Sequence, residues 1–268
     1  MRGKFSVKDE NLSYRMPVHF SNWPRTEVAL VFSDVISICV NQKTEASKLA
    51  EFIPEEFELL SDQLLWQYSD CREVDFMSQG DYRIIQVGAE VRFTKDGETH
   101  TGIYPLIIWE DEGYPIIGGR EEDGMPKVFA NISRPRHVGN HWFAATSLYS
   151  ETMVRFDFKQ GKEAGKEVIA DMEEQACVNS FGYRYIPHPH KAGAALQNII
   201  LYPQEFHPRK VWEGEGEITI FPPEPFERIV NMALPLHKLA SLPKLGFSKG
   251  KLTKGWLKLC VSQSKELT

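Results

Sequence analysis

The chain has 268 residues, a hydrophobic share of 42% and a formal net charge of −6, which fits one sizeable hydrophobic core in a single domain spanning 1–268. The acidic balance argues against a nucleic-acid partner, which would need a basic face, and no apolar run approaches the roughly 20 residues of a membrane span. Four widely spaced cysteines without a Cys-x-x-Cys pair, and a basic opening with no apolar stretch behind it, lead to the expectation of a cytoplasmic protein without a cleaved leader.

Segments rich in branched and aromatic residues predict strands at 28–32, 35–40, 83–93, 104–109, 114–117, 153–158 and 217–221. Thr44 is placed to cap a helix in which Ala46, Leu49, Ala50 and Ile53 recur at helical spacing before Pro54 ends it. In the strand from Arg83, alternation puts Ile85, Val87, Ala89, Val91 and Phe93 on a core face. Ile84, Gln86, Gly88, Glu90 and Arg92 fall on the other, a mixed face of the kind that lines a cavity. Asp96-Gly97 supplies the positive φ angles of a tight hairpin turn, so the strands on either side pair antiparallel.

A second helix is predicted over 161–174. The Glu/Gly alternation from 212 to 217 lacks the Lys-Ser/Thr of a phosphate loop and reads as a turn entering a strand. A third helix starts near Pro225, with Phe226, Ile229, Val230 and Ala233 on one side, and Pro235 breaks it. Many strands with few helices among them give an α+β chain, mainly antiparallel β. Its expected form is a large folded sheet, barrel or cone that encloses a cavity, with a few peripheral helices.

Candidate chemistry concentrates in residues 118–127, Gly-Gly-Arg-Glu-Glu-Asp-Gly-Met-Pro-Lys. Gly119-Arg120-Glu121 followed by Pro126-Lys127 at this spacing resembles the active-site peptide of the acetoacetate decarboxylase family. The likeness extends through Gly102, Tyr104 and residues 49–54, 211–214, 217–221 and 232–242. The resemblance implies that Lys127 condenses with a substrate ketone to form an imine. An amine attacks a carbonyl only when uncharged, and an ordinary lysine, with a pKa of about 10.4, is almost wholly protonated at pH 7. The family is itself the standard instance of a nucleophilic lysine tuned by a neighbouring cation. Here the next residue is Val128, so burial among Met125, Val128 and Phe129 is the remaining route to an uncharged amine.

On the same resemblance, one family carboxylate falls at Gln86 and a second at Gln67, and the family's first-strand arginine finds no counterpart near Val35. A glutamine can orient a substrate but cannot relay a proton near neutral pH. Glu90, on the same predicted face as Gln86, is the expected replacement. Arg120 and Glu121 are expected to touch substrate or to form a bracing ion pair, with Tyr104, Gln67, Met125 and Val128 completing the pocket. Whichever of Tyr104, Tyr183 and Tyr185 lines the cavity would be able to protonate the enamine carbon.

These residues imply a Schiff-base lyase, a carboxy-lyase that decarboxylates a small β-keto acid. Two alternatives stand beside it: an aldolase-dehydratase that uses the same imine on an oxo acid, and a non-catalytic small-molecule binding barrel on the same scaffold. No metal or organic cofactor is expected, because a protonated imine is itself the electron sink. His188-Pro189-His190 reads as a solvated loop and not as a metal pair. The family's tendency to assemble implies a homo-oligomer.

Overall fold

The computed structural model describes residues 1–7, 11–20, 22–24, 29–224 and 230–268. Four strands, β1 (Leu30–Lys43), β2 (Gln63–Val74), β3 (Gly80–Lys95) and β4 (Glu98–Glu110), pair in sequence as an antiparallel meander. The turn between β3 and β4 is Asp96-Gly97, with φ of 52° and 84°, the two-residue hairpin that the dipeptide predicts. A short strand, β5 (Lys127–Phe129), lies parallel beside the end of β4.

The remaining long strands are β6 (His141–Leu148), β7 (Glu151–Glu163), β8 (Cys177–Pro187), β9 (Ala194–Ile220) and β10 (Lys249–Leu259). β8 meets β4 at Ser180 and Ile103, β9 pairs with β8, and β10 pairs with both β9 and β1. The order β1-β2-β3-β4-β8-β9-β10 therefore returns to its start as a closed ring of strands. The 27-residue β9 then leaves the ring to pair with β7, which carries β6, and the three form a wing. Helices α1 (Ala46–Ala50), α2 (Gly113–Glu121), α3 (Lys166–Glu174) and α4 (Val230–Ala240) lie in the connections between strands.

Strand alternation sorts residues between the two faces of the ring. Ile36, Ile38, Trp66, Ile85 and Val87 point outward and pack with Phe156 and Phe158 of the wing and Leu236 and Leu239 of α4. The main hydrophobic core thus lies outside the ring, under the wing. The inward face sets Ser37, Ser69 and Gln86 among apolar residues such as Val35, Ile84 and Ile108 around a cavity. All five residues of the predicted core face of β3 are buried, and Ile84 and Gln86 of its mixed face line the cavity.

One irregularity decides what points inward from β4. Val87 pairs with Ile107 but Gly88 pairs with Pro105, so Leu106 is an extra residue on β4, a β-bulge. Before it the cavity-lining residues are Ile103 and Pro105; after it they are Ile108 and Glu110. The bulge reverses the phase of the strand, and it brings a carboxylate into the cavity. Pro105, with no backbone N–H to give, suits such an interruption. Gly88 leaves the space it requires: a Cβ at this position would stand 2.7 Å from the Tyr104 carbonyl oxygen and 3.1 Å from Pro105 Cα.

Several sequence expectations are corrected. Residues 114–117 belong to α2, not to a strand; the Glu112 carboxylate accepts a hydrogen bond from the Gly113 N–H at 3.0 Å and starts the helix. Ile116 is buried and Ile117 exposed, as one-sided helical burial requires. The helix predicted from 161 begins at Lys166, because Gly161 to Glu163 still belong to β7. Thr44 does not cap α1: it is buried, its N–H donates to the Asp62 carbonyl, and Glu45 holds the cap position.

Residues 212–217 lie wholly within β9, with Glu213, Glu215 and Glu217 exposed and Gly214 close against Phe158. Pro235 sits inside α4 without ending it; the helix forgoes one backbone hydrogen bond while Ala233, Leu236 and Leu239 are buried on its inner side. Val28, Pro225, Phe226 and Ile229 lie outside the described residues, and the strands predicted at 28–32 and 35–40 meet in the single strand β1.

Gly88→Ala drives a methyl group into backbone atoms that cannot swing aside. The expected loss is about 1–3 kcal/mol of stability, or roughly 2–10 °C in melting temperature for a chain of this size. An unchanged thermal melt would show that the bulge does not need the space.

Candidate active site

Lys127 opens β5, where its register partner is Ile108 of β4. Backbone hydrogen bonds fix this start on both sides: the Ile108 N–H donates to the Pro126 carbonyl, and the Met125 N–H to the Gly119 carbonyl at the end of α2. Arg120 adds a guanidinium hydrogen bond to the Lys127 carbonyl at 2.8 Å. The Lys127 side chain is 14% exposed and passes beside Gly119, where a Cβ would lie 2.7 Å from Cδ and Cε and 2.9 Å from Nζ. Only glycine leaves this passage open. At its end Nζ donates to the Pro115 carbonyl at 3.1 Å and pairs with Glu110 Oε1 at 2.9 Å.

Glu110 is 1% exposed, and its second oxygen is buried without a hydrogen-bond partner among the described residues. Burial raises the carboxyl's proton affinity above the usual range, with the Lys127 charge opposing part of that effect. Asp123, from the loop between α2 and β5, borders the same space. Burial pushes its pKa up to about 6, against the pull of the charges of Lys127, Arg15 and Arg184. Tyr82 and Tyr202 complete the surroundings, both with hydroxyls held well above their ordinary pKa by burial.

These groups line one end of a cavity of about 280 Å³ inside the ring. Lys127, Asp123, Tyr82 and Tyr202 also border an outer cleft, whose rim includes Arg15, Tyr114 and Arg184. Arg15 is ion-paired with Glu122 there. The amine therefore stands at a threshold between an interior space and the outside. It can meet a small carbonyl compound without lying in open water.

Several residues expected from sequence fall in or on this site. Met125 is buried in the cavity wall. Gln86 and Gln67 face each other across β3 and β2 and are joined by a 3.0 Å hydrogen bond, while Gln67 donates onward to Ser69 at 2.9 Å and Ser69 meets Ser37 at 2.7 Å. They form a neutral, hydrogen-bonded band along the wall.

Other expected residues lie elsewhere. Glu90 is exposed and outside the cavity lining, because the wall formed by β3 ends before it. Val128 packs toward the main core, since neighbours along a strand face opposite sides, and Phe129 is 48% exposed. Arg120 and Glu121 are exposed and form no ion pair with each other; Arg120 braces the lysine's backbone instead. Tyr104 packs on Phe57 in a separate cluster, where burial pushes its pKa up to about 12. Neither Tyr183 nor Tyr185 lines the cavity. His188 and His190 lie in a bend after β8, their ring centroids 6.1 Å apart.

Glu110, Asp123, Tyr82 and Tyr202 were not singled out from sequence. Asp123 carried a usable signal, an acid four residues before the lysine in the same segment, whereas Glu110 depends on the bulge in β4. Tyr82 continues the cavity face of β3 two residues before Ile84, and Tyr202 is brought in by ring closure.

Comparison with known proteins bears on the family and the fold. Residues 15–240 match the family described as acetoacetate decarboxylase (ADC). The acetoacetate decarboxylase of Burkholderia ambifaria strain MC40-6 is 27% identical over 194 residues, which cover 71% of this chain and 74% of the relative. Among solved structures, the acetoacetate decarboxylase of Legionella pneumophila superposes with a TM-score of 0.73 at 15% identity, covering 100% of this chain and 92% of the other. The enduracididine biosynthesis enzyme MppR superposes with a TM-score of 0.71 at 15% identity, covering 98% and 99%. The match over most of its length makes this chain a member of the acetoacetate decarboxylase family.

Proposed function

We propose that the chain is a carbon–carbon lyase that decarboxylates a small β-keto acid through an imine on Lys127. The observation that carries this reading is the Lys127 amine on the wall of an interior cavity, 2.9 Å from a buried carboxylate whose proton affinity is raised. In a medium of low polarity, an ammonium–carboxylate pair and its uncharged form, amine and carboxylic acid, are closer in energy than in water. Proton transfer from Lys127 to Glu110 supplies the free amine. Its nitrogen then attacks the ketone carbon, and the carbonyl oxygen leaves as water after taking up two protons.

The protonated imine draws electrons from the adjoining bond. The bond from the α-carbon to the carboxylate breaks, carbon dioxide departs, and the electron pair remains as a neutral enamine. Asp123, which holds its proton up to a pH of about 6, hands one to the enamine carbon, and water releases the ketone from Lys127. No metal or organic cofactor takes part in this sequence.

A second reading, aldol or dehydratase chemistry from the same imine, is favoured by the neutral Gln67–Gln86 pair in the cavity. A solved structure of MppR, whose fold is similar, holds the condensation product of pyruvate and imidazole 4-carboxaldehyde. Direct measurement of carbon dioxide from acetoacetate separates the two. The non-catalytic alternative required a freely exposed amine and is disfavoured by the 14% exposure of Lys127.

Borohydride added with a β-keto acid should leave a reduced adduct on Lys127, seen by peptide mass spectrometry, and Lys127→Ala should abolish both adduct and turnover. No adduct with a range of oxo acids would end the imine reading. Glu110→Gln should slow adduct formation by about 10²-fold or more through loss of the proton acceptor; trapping at the wild-type rate would remove Glu110 from that role. Because Asp123 donates only when protonated, turnover should fall as pH rises through about 6. Asp123→Asn should be slow and lack this descent, and a variant that keeps it would transfer the pH dependence to another group.

A further inference from the structure

A single register row runs around the inner wall of the ring: Lys251 of β10, Cys39 of β1, Gln67 of β2, Gln86 of β3, Ile108 of β4 and Lys127 of β5. All six residues line the cavity, and the row carries a lysine at each end. Strands of a closed sheet tilt against its axis, so a register row climbs as it winds. The two lysines accordingly stand at different heights in one interior space.

Their surroundings differ. Both carboxylates that line the cavity, Glu110 and Asp123, act on Lys127. Lys251 has no carboxylate within ion-pair distance among the described residues; its nearest recorded polar contact is the thioether of Met172, on α3, at 4.0 Å. Its cross-strand neighbour Glu213 is exposed, and the Cys39 thiol beside it is held uncharged by burial, with its pKa pushed up to about 11. Between the two lysines the wall offers the neutral band Gln86, Gln67, Ser69 and Ser37, with Thr253 beyond it. A partly buried cation with no carboxylate in ion-pair distance among the described residues, in a cavity that also holds a nucleophile, is suited to an anionic ligand group.

We propose that Lys251 is a specificity-determining residue that binds a second, non-reacting acid group of the substrate, so that the site prefers oxo acids carrying a carboxylate several carbons from the ketone that meets Lys127. This rests on the imine reading for the ketone end but not for the acid end. The carboxylate that leaves as carbon dioxide stays at the Lys127 end, near the buried Glu110 and Asp123. The remote one is held, and with it the orientation of the chain between them.

The test uses 4-oxopentanoate and 6-oxoheptanoate against their methyl esters, which differ only in the acid charge. By calorimetry with the full chain carrying Lys127→Met, at least one acid should bind tenfold or more tightly than its ester. Adding Lys251→Met should erase that advantage, and Lys251→Arg should keep part of it. Should the Lys127→Met chain fail to fold, the half-saturating concentrations for borohydride trapping, compared between the wild type and Lys251→Met, give the same ratio.

Equal binding of acids and esters, or an advantage that survives Lys251→Met, overturns the proposal. Should wild-type protein yield no Lys127 adduct while the Lys251-dependent advantage persists, the imine reading fails and the acid-binding role stands.

Discussion

The ion pair between Lys127 and Glu110 is the constraint around which the site is built. Two opposite charges in a space mostly closed to water are tolerable only together, since removing one partner of such a pair typically costs about 3–5 kcal/mol. Its members come from separate elements, the start of β5 and the end of β4. Their meeting requires the parallel pairing of those strands, the bulge at Leu106 and the open passage beside Gly119. The pair can also lose both charges at once by a single proton transfer. This makes it chemically different from a bridge that only fastens two strands.

The ring accommodates such a pair because its centre is only partly filled. The largest hydrophobic cluster lies between the outside of the ring, the wing and α4. Trp66, Tyr68 and Trp109 are fully buried there, turned away from the cavity. Inward positions carry a band of glutamine and serine, hydrogen-bonded along the wall, set among apolar residues such as Val35, Ile84 and Ile108. Here the same strand supplies core on one face and chemistry on the other.

Much of this was legible in the residues. The alternation in β3 identified both of its faces, Asp96-Gly97 fixed the hairpin, and the Pro126-Lys127 motif located the amine. Glu110 was not legible, because simple alternation carried on from Ile103 and Pro105 points Ile107 and Trp109 inward. Only a bulge, which sequence does not announce, reverses the phase. Glu90 failed for the complementary reason, since alternation names a face but not where the wall ends. The expectation that Val128 lines the pocket conflicts with the period-two rule itself: a residue adjacent to Lys127 in a strand cannot share its side. Lys251 and Tyr202 reach the cavity only because β9 and β10 close the ring, a pairing that local patterns do not encode.

The contact between Gly119 and the Lys127 side chain ties two positions into one steric unit. Bulk added at the helical position blocks the channel for the amine, while a shorter side chain at the strand position would remove the obstacle to such bulk. The pair should therefore vary in concert among related chains: glycine with lysine where condensation chemistry is retained, larger residues with shorter ones where it has been abandoned. Two columns of an alignment would then separate working members of the lineage from those that keep only its architecture.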